Sequence, residues 1–249
     1  GIADADIRII DAGVASHLPD HPDLIRANIR KGARNSLKED ALTAEEVEAA
    51  LQFGGAQAVE AVEAGASVIA LGEMGIGNTS SAALVAHSIT GLPLNDLVGA
   101  GAGLDAAGVA RKLTILEKCA ERRPGRLDPG AALAAFGGLE ICVMAGAVIG
   151  AASSKAAVLV DGYIATAAAL AAVEAWPEAR PYLIFAHESF EAGQGLMLDH
   201  MDADALLDLD LRLGEGSGAL LAAPLLTAAC AMLSDMATFE SAGVSEKET

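Results

Sequence analysis

Two segments of this chain place single glutamates where chemistry could use them. They are Leu71-Gly72-Glu73-Met74-Gly75-Ile76-Gly77-Asn78-Thr79-Ser80-Ser81 and Leu213-Gly214-Glu215-Gly216-Ser217-Gly218-Ala219. Each sets one carboxylate among glycines, where backbone can approach a ligand closely, just before a predicted helix start. A carboxylate so placed can take a proton, and the first turn could also cradle an anion such as phosphate in its N–H and O–H donors. The same pattern suits two ordinary glycine turns with solvated glutamates.

Other candidates carry less. Gly101-Ala102-Gly103-Leu104-Asp105-Ala106 fits GxGxxA, a dinucleotide fingerprint, but no strand directly precedes it. There is no GxxxxGK[ST] phosphate loop. His17 and His21 are four apart, but Pro19 between them spoils the helix that would align them as metal ligands. Asp199, Asp202, Asp204, Asp208 and Asp210 lack the glycine and terminal glutamate of a calcium loop and read as a solvated face. Cys142 reads as a small buried hydrophobe. His187 and Ser189 follow a predicted strand and suit either a ligand contact or a structural role.

The elements that must position these turns alternate between strands and helices. Ile7–Asp11 reads as a buried strand, Ser16–Arg34 as a loop, and Thr43 with Glu46 as a capping box opening a helix that stops near Gly65. Ser67–Leu71 is a strand, followed by a helix from Asn78 or Thr79 to about Thr90. Pro93–Gly103 is loop-like, and Asp105 caps a helix reaching toward Arg123. Further elements are a helix around Phe136–Ala152, a strand at Ala157–Val160, and a helix from Gly162 to about Glu174. A strand at Tyr182–Phe185, a strand or turn at Leu211–Leu213 and a last helix over Ser217–Met236 complete the reading. This alternation predicts an α/β fold with a mostly parallel sheet and helices on both faces, a Rossmann-like three-layer arrangement. Ligands in such sheets sit beyond the carboxyl ends of the strands, where both glutamate turns fall.

Composition narrows the function classes. Of 249 residues, 53% are hydrophobic and 3% aromatic, so Ala, Val, Leu, Ile and Gly must build a closely packed interior. A net charge of −18 argues against a nucleic-acid partner and against an anionic membrane surface. The three cysteines, Cys119, Cys142 and Cys230, form no CxxC and suit a reducing cytoplasm. The Phe136–Ala152 apolar run is too short and too interrupted to span a bilayer. The tail Ser245–Thr249 reads as a frayed terminus.

Four segments in order complete a pattern: Gly72–Thr79, Leu159-Val160-Asp161-Gly162-Tyr163, Ala186-His187-Glu188-Ser189-Phe190-Glu191-Ala192-Gly193, and Arg212–Ala219. Together they resemble the nicotinate-nucleotide–dimethylbenzimidazole phosphoribosyltransferase family of cobalamin nucleotide-loop assembly, over nearly the whole chain from about Asp6. The resemblance implies transfer of phosphoribose from nicotinate mononucleotide to dimethylbenzimidazole, with inversion at the anomeric carbon. It implies Glu215 as general base, in an apolar pocket that raises its pKa, and Glu73 as a second carboxylate. Substrate and phosphate contacts fall on Met74, Gly75, Ile76, Gly77, Asn78, Thr79, Ser80, Lys112, Ser189, Leu213 and Gly214. No cofactor and no metal is implied, because the leaving pyridine is already activated by its positive ring nitrogen. The expected partners are the two small-molecule substrates and a second copy in a homodimer.

The chain departs from the family pattern in places. Val98–Gly103 has alanines where the family shows an Arg and a Thr, and Gln194 stands where a His is common. The family also has a further N-terminal segment, so residues 1–249 are expected to form a single α/β domain without it. Gly1 in place of Met fits a processed or trimmed chain or a fragment. Residues 216–249 are expected to belong to a small helical subdomain. The competing readings are a truncated or degenerate member that binds a nucleotide without catalysis, and, on GxGxxA alone, an NAD-dependent oxidoreductase.

Overall fold

The computed structural model describes residues 5–101, 103–191, 193–238 and 241–243. Near its start, β1 (Ile9–Asp11) pairs in parallel with β2 (Leu24–Arg26), forming a two-stranded sheet of their own. The opening strand is therefore shorter than its apolar run, and it is not buried: Ile7 is 76% exposed and Ile9 57%. β2 also interrupts the expected loop. Asp11 ends β1 by accepting the N–H groups of Gly13 and Val14 and the guanidinium of Arg26 at 3.1 Å.

Helix α1 (Ala44–Glu63) opens on the expected capping box. Thr43 Oγ1 accepts the Glu46 N–H at 3.1 Å, and the Glu46 carboxylate accepts the Thr43 N–H at 2.8 Å. Arg34 also binds this carboxylate at 2.6 Å and holds it down at about 2. After β3 (Val68–Ala70) come α2 (Asn78–Thr90), α3 (Leu94–Leu97), α4 (Ala106–Ala120), α5 (Pro129–Phe136) and α6 (Leu139–Ser153). Three expectations change here. α3 lies within the expected loop, and α4 ends at Ala120, with Arg122 and Arg123 turning out to bind Asp40. The expected Phe136–Ala152 helix is α6, starting three residues later because Gly137 and Gly138 are extended, and α5 before it is a helix where the sequence shows only Pro and Gly punctuation.

The chain continues through β4 (Ala157–Val160), α7 (Tyr163–Ala175), a 3₁₀ turn (Pro177–Tyr182), β5 (Leu183–Ser189), α8 (Gly193–His200), β6 (Ala205–Leu211) and α9 (Ser217–Asp235). β5 runs four residues past its expected end, so His187 and Ser189 lie within it. β6 begins inside the acidic stretch, whose Asp208 and Asp210 are exposed on this edge strand, a common guard against edge pairing.

The main sheet is parallel in the order β3-β4-β5-β6. One face carries the large core, with Leu84, Phe136, Ile141, Leu170 and Phe185 wholly buried. α9 covers the other face, setting Ala219 and Ala222 on Leu159 and Ala186. Helices therefore flank the sheet on both sides, as the alternation predicts.

Candidate active site

Because the four main strands run parallel, their carboxyl ends line one edge, and the loops after β3, β4, β5 and β6 meet there. The two glutamate turns touch backbone to backbone. A Cβ added at Gly72 would lie 2.3 Å from the Gly216 nitrogen, and one at Gly214 would lie 3.7 Å from Glu73 Oε1. Gly214, Glu215 and Gly216 are all left-handed, with φ of +77°, +61° and +77°. Holding a non-glycine residue there costs about 1–2 kcal/mol, which the surroundings must offset.

Asp161, at the end of β4, secures this turn. Its Oδ2 accepts the Gly216 N–H at 3.2 Å and its Oδ1 the Ala219 N–H at 3.0 Å. His187 Nε2 lies 3.5 Å from Oδ1. Burial pushes the Asp161 carboxyl up, but His187 and the two amides outweigh it and hold the group below its ordinary range. Asp161 in turn raises His187, against the effect of burial.

The burial expected around Glu215 falls elsewhere. Its side chain is exposed, whereas Glu73 is half-buried, and burial raises the Glu73 carboxyl with help from the charges of Glu140, Asp161 and Glu215. The Asn78 amide donates to Glu73 and opposes that rise. The physical reason lies in position. Glu215 sits at the outer lip of the turn, and Glu73 points inward beneath it.

Glu140, in the first turn of α6, is raised by its own burial. The folded chain therefore keeps this proton at pH values where the unfolded chain has lost it. Stability from this group falls as pH rises from the ordinary value of 4.5 through the raised one, and stays lost above it. Glu140→Gln is expected to melt above wild type at pH 8, with the gap closing toward pH 4.5. Equal melting temperatures throughout a pH series would remove burial as the cause.

The first turn prepares the start of α2. Gly77, its N-cap residue, has φ +81° and no side chain with which to satisfy the leading amides. Met74 and Ile76 are exposed, and Gly75 leaves room for the Asn78 amide, which would lie 2.6 Å from an added Cβ. Lys112 reaches in from α4, donating to Thr79 Oγ1 at 2.9 Å and to the Gly99 carbonyl at 3.2 Å. Burial lowers its ammonium, and Glu191 opposes that.

Glu191 accepts the Gly101 N–H at 2.7 Å. A Cβ at Gly99 would lie 1.9 Å from its other oxygen, so this loop must be glycine to accept it. Ser189 ends β5 beside Gly162, and its Oγ accepts the Glu191 N–H at 3.4 Å. Leu213 is exposed beside the Glu215 turn. Gln194 is fully buried and donates to Thr166 Oγ1 and to the His187 carbonyl, each at 3.0 Å, while accepting the Ser189 N–H. It braces the end of β5.

Nothing in the sequence assigns a role to Asp161, Glu140 or Glu191 individually. Asp161 directly follows a predicted strand and could have been found by that position. Glu191 has no such signal, since its partners come from a loop 90 residues away. Among the described residues no group of three metal-ligating side chains occurs, and His17 and His21 are both exposed. Cys142 is buried and its thiol is pushed up. Gly101 and Gly103 follow the helix α3 rather than a strand, against a dinucleotide fingerprint, and Ala102 lies outside the described residues, as do Ala192 and the 244–249 tail.

Residues 2–244 match the phosphoribosyltransferase family. A nicotinate-nucleotide–dimethylbenzimidazole phosphoribosyltransferase of Cupriavidus necator is 48% identical over 96% of this chain and 69% of its own. One of Chloroflexus aurantiacus is 43% identical over 98% of this chain and 70% of its own. The crystal structure of CobT from Thermus thermophilus superimposes with a TM-score of 0.91 at 40% identity, over 96% of this chain and 71% of that one. This chain thus spans about 70% of its relatives' length. With both glutamate turns inside a similarity that extends over nearly all of its residues, the chain belongs to the nicotinate-nucleotide–dimethylbenzimidazole phosphoribosyltransferase family.

Proposed function

We infer that this protein transfers the phosphoribosyl group of nicotinate mononucleotide to 5,6-dimethylbenzimidazole, giving α-ribazole 5′-phosphate and nicotinate. One azole nitrogen forms the new bond to the anomeric carbon as the bond to nicotinate breaks. The electrons of the broken bond neutralise the positive pyridine nitrogen, and the other azole nitrogen gives up its proton. Inversion follows from attack opposite the leaving ring.

The observation that carries this reading is the contact between the two glutamate turns at the carboxyl edge of the sheet. Glu215, exposed on the lip, is the base that takes the azole proton. Glu73, held by Asn78, faces the ribose and stabilises charge developing at the anomeric carbon. The phosphate lies on the Gly75–Ser80 turn, where uncapped helix amides and Lys112 beside Thr79 supply donors. Met74, Ile76, Ser189, Leu213 and Gly214 border the same space.

We assign residues 1–249 to one α/β domain, with residues 216–249 in a small helical subdomain, and place the protein in the cytoplasm as a homodimer. α9 supports the assembly. Its small residues dock on the sheet, but Leu221, Leu225, Met232 and Leu233 are exposed, an apolar face that a second subunit or further helices would cover. Among the described residues α9 is also the one helix long and apolar enough to cross a membrane. Its first turn is built into the Glu215 site, which ties it to the enzyme body. The free thiols of Cys119, Cys142 and Cys230 fit a reducing compartment.

The direct test is incubation with both substrates and chromatography of the products. Appearance of α-ribazole phosphate with an equal amount of nicotinate is expected. Calorimetric binding of nicotinate mononucleotide with no product would replace catalysis by nucleotide binding alone.

A further inference from the structure

The Glu215 turn needs an external restraint. Three left-handed residues in succession are not a conformation that a chain holds by local preference, and the central one has a side chain. The turn's own hydrogen bond, Ser217 N–H to the Gly214 carbonyl at 3.0 Å, closes it but does not orient it against the sheet. Asp161 does so. It takes the amide immediately after Glu215 and a second amide within the first turn of α9.

His187 completes the restraint. Its Nδ1 faces the Glu188 carbonyl at 3.1 Å and its Nε2 faces Asp161 at 3.5 Å, so both ring nitrogens meet acceptors, an arrangement that favours the doubly protonated ring. In that form the ring offsets the charge of a carboxylate that would otherwise be buried at high cost. Both residues are buried, Asp161 being 3% exposed and His187 2%. The ring fits only because α9 has glycine above it: a Cβ at Gly218 would lie 1.9 Å from His187 Cδ2.

We propose that the buried Asp161–His187 pair is a positioning device for Glu215, clamping the left-handed turn that aims it and so setting kcat rather than substrate affinity. The pair is buried and holds the turn through its backbone amides rather than through the Glu215 side chain. Its catalytic consequence rests on the assignment of Glu215 as base, and the clamp itself is read independently.

The test uses Asp161→Asn, which keeps one acceptor oxygen but turns an NH2 toward the other amide and removes the partner charge. Amide hydrogen exchange over residues 214–219 is expected to quicken at Gly216 and Ala219, whatever the turnover. kcat is expected to fall on the order of 10- to 30-fold, with KM for nicotinate mononucleotide within about twofold. In a Glu215→Gln background the same change is expected to cost less than about threefold, because the base it positions is already gone. Gly218→Ala, which displaces His187 while leaving Asp161 in place, is expected to reproduce the exchange and kcat effects if Asp161→Asn folds poorly. Unchanged protection at Gly216 and Ala219 in both variants overturns the clamp. A full 10- to 30-fold loss retained in the Glu215→Gln background overturns its action through Glu215. Glu215→Gln alone, if as fast as wild type, overturns the base assignment and leaves the exchange result standing.

Discussion

Replacing Glu215 by glutamine is expected to slow formation of α-ribazole phosphate by about 10²–10⁴-fold, the range over which a positioned base contributes. Glutamine keeps the length and shape of the side chain but cannot accept the azole proton. Glu215 is exposed, so the replacement removes no core packing, and Gly214 and Gly216 still supply the turn. KM for nicotinate mononucleotide and the melting temperature are therefore expected to stay near wild type. The variant's residual rate is expected to climb with pH, as hydroxide and azole ionisation take over the proton transfer that Glu215 performs. Steady-state kinetics on both proteins across a pH series checks this. Equal kcat values would remove Glu215 as the base.

The second large effect lies away from the site, where α1 crosses α6. Added Cβ atoms would stand 1.9 Å from the Val143 carbonyl oxygen at Gly54, 2.0 Å from that of Leu51 at Gly146, and 2.4 Å from that of Gly55 at Gly150. The helices thus meet backbone to backbone, and the fully buried Ala50, Ile141, Cys142, Ala145 and Val148 pack around the crossing. Gly146→Val must part the helices and loosen that packing. Overpacking of this kind costs about 3 kcal/mol or more, lowering the melting temperature by roughly 6–12 °C in a protein of this size. Gly55→Ala is the control. Its methyl would sit 3.4 Å from the Gly146 carbonyl, an ordinary contact, and alanine favours the helix by about 0.5–1 kcal/mol. Thermal denaturation of the two variants should separate them in opposite directions. A Gly146→Val protein that melts with wild type would disprove the close crossing.

Much of the fold is legible from local pattern. Thr43 and Glu46 mark the start of α1 because a capping box is satisfied within four residues, and Asp105 marks α4 because its carboxylate takes the Gly108 amide at 2.7 Å. Both glutamate turns are visible because glycine spacing and the following helix are local features. Errors arise where neighbours distant in sequence decide. Ile7–Asp11 is apolar enough for a core strand, yet it pairs with Leu24–Arg26 at the surface. β5 extends through Ser189 because β6 offers it a partner, and nothing within β5 announces that. Helix α5 is missed for a local reason: Pro129 and Gly130 read as chain punctuation, whereas Pro129 sits at the first helical position behind the Asp128 cap, where it is tolerated.

By itself the sequence determined the parallel α/β order, the small-residue interior, and a place at strand ends for Glu73 and Glu215. These follow from periodicity, capping chemistry and composition, which act over a few residues at a time. Only the tertiary structure decided which carboxylate loses water, half-burying Glu73, burying Glu140 more deeply and leaving Glu215 on the lip. It alone brought Lys112 to Thr79 across 33 residues and Asp161 to Gly216 across 55. Burial and charge pairing depend on what the fold sets beside a residue, and that is a property of the packed chain rather than of any segment of it.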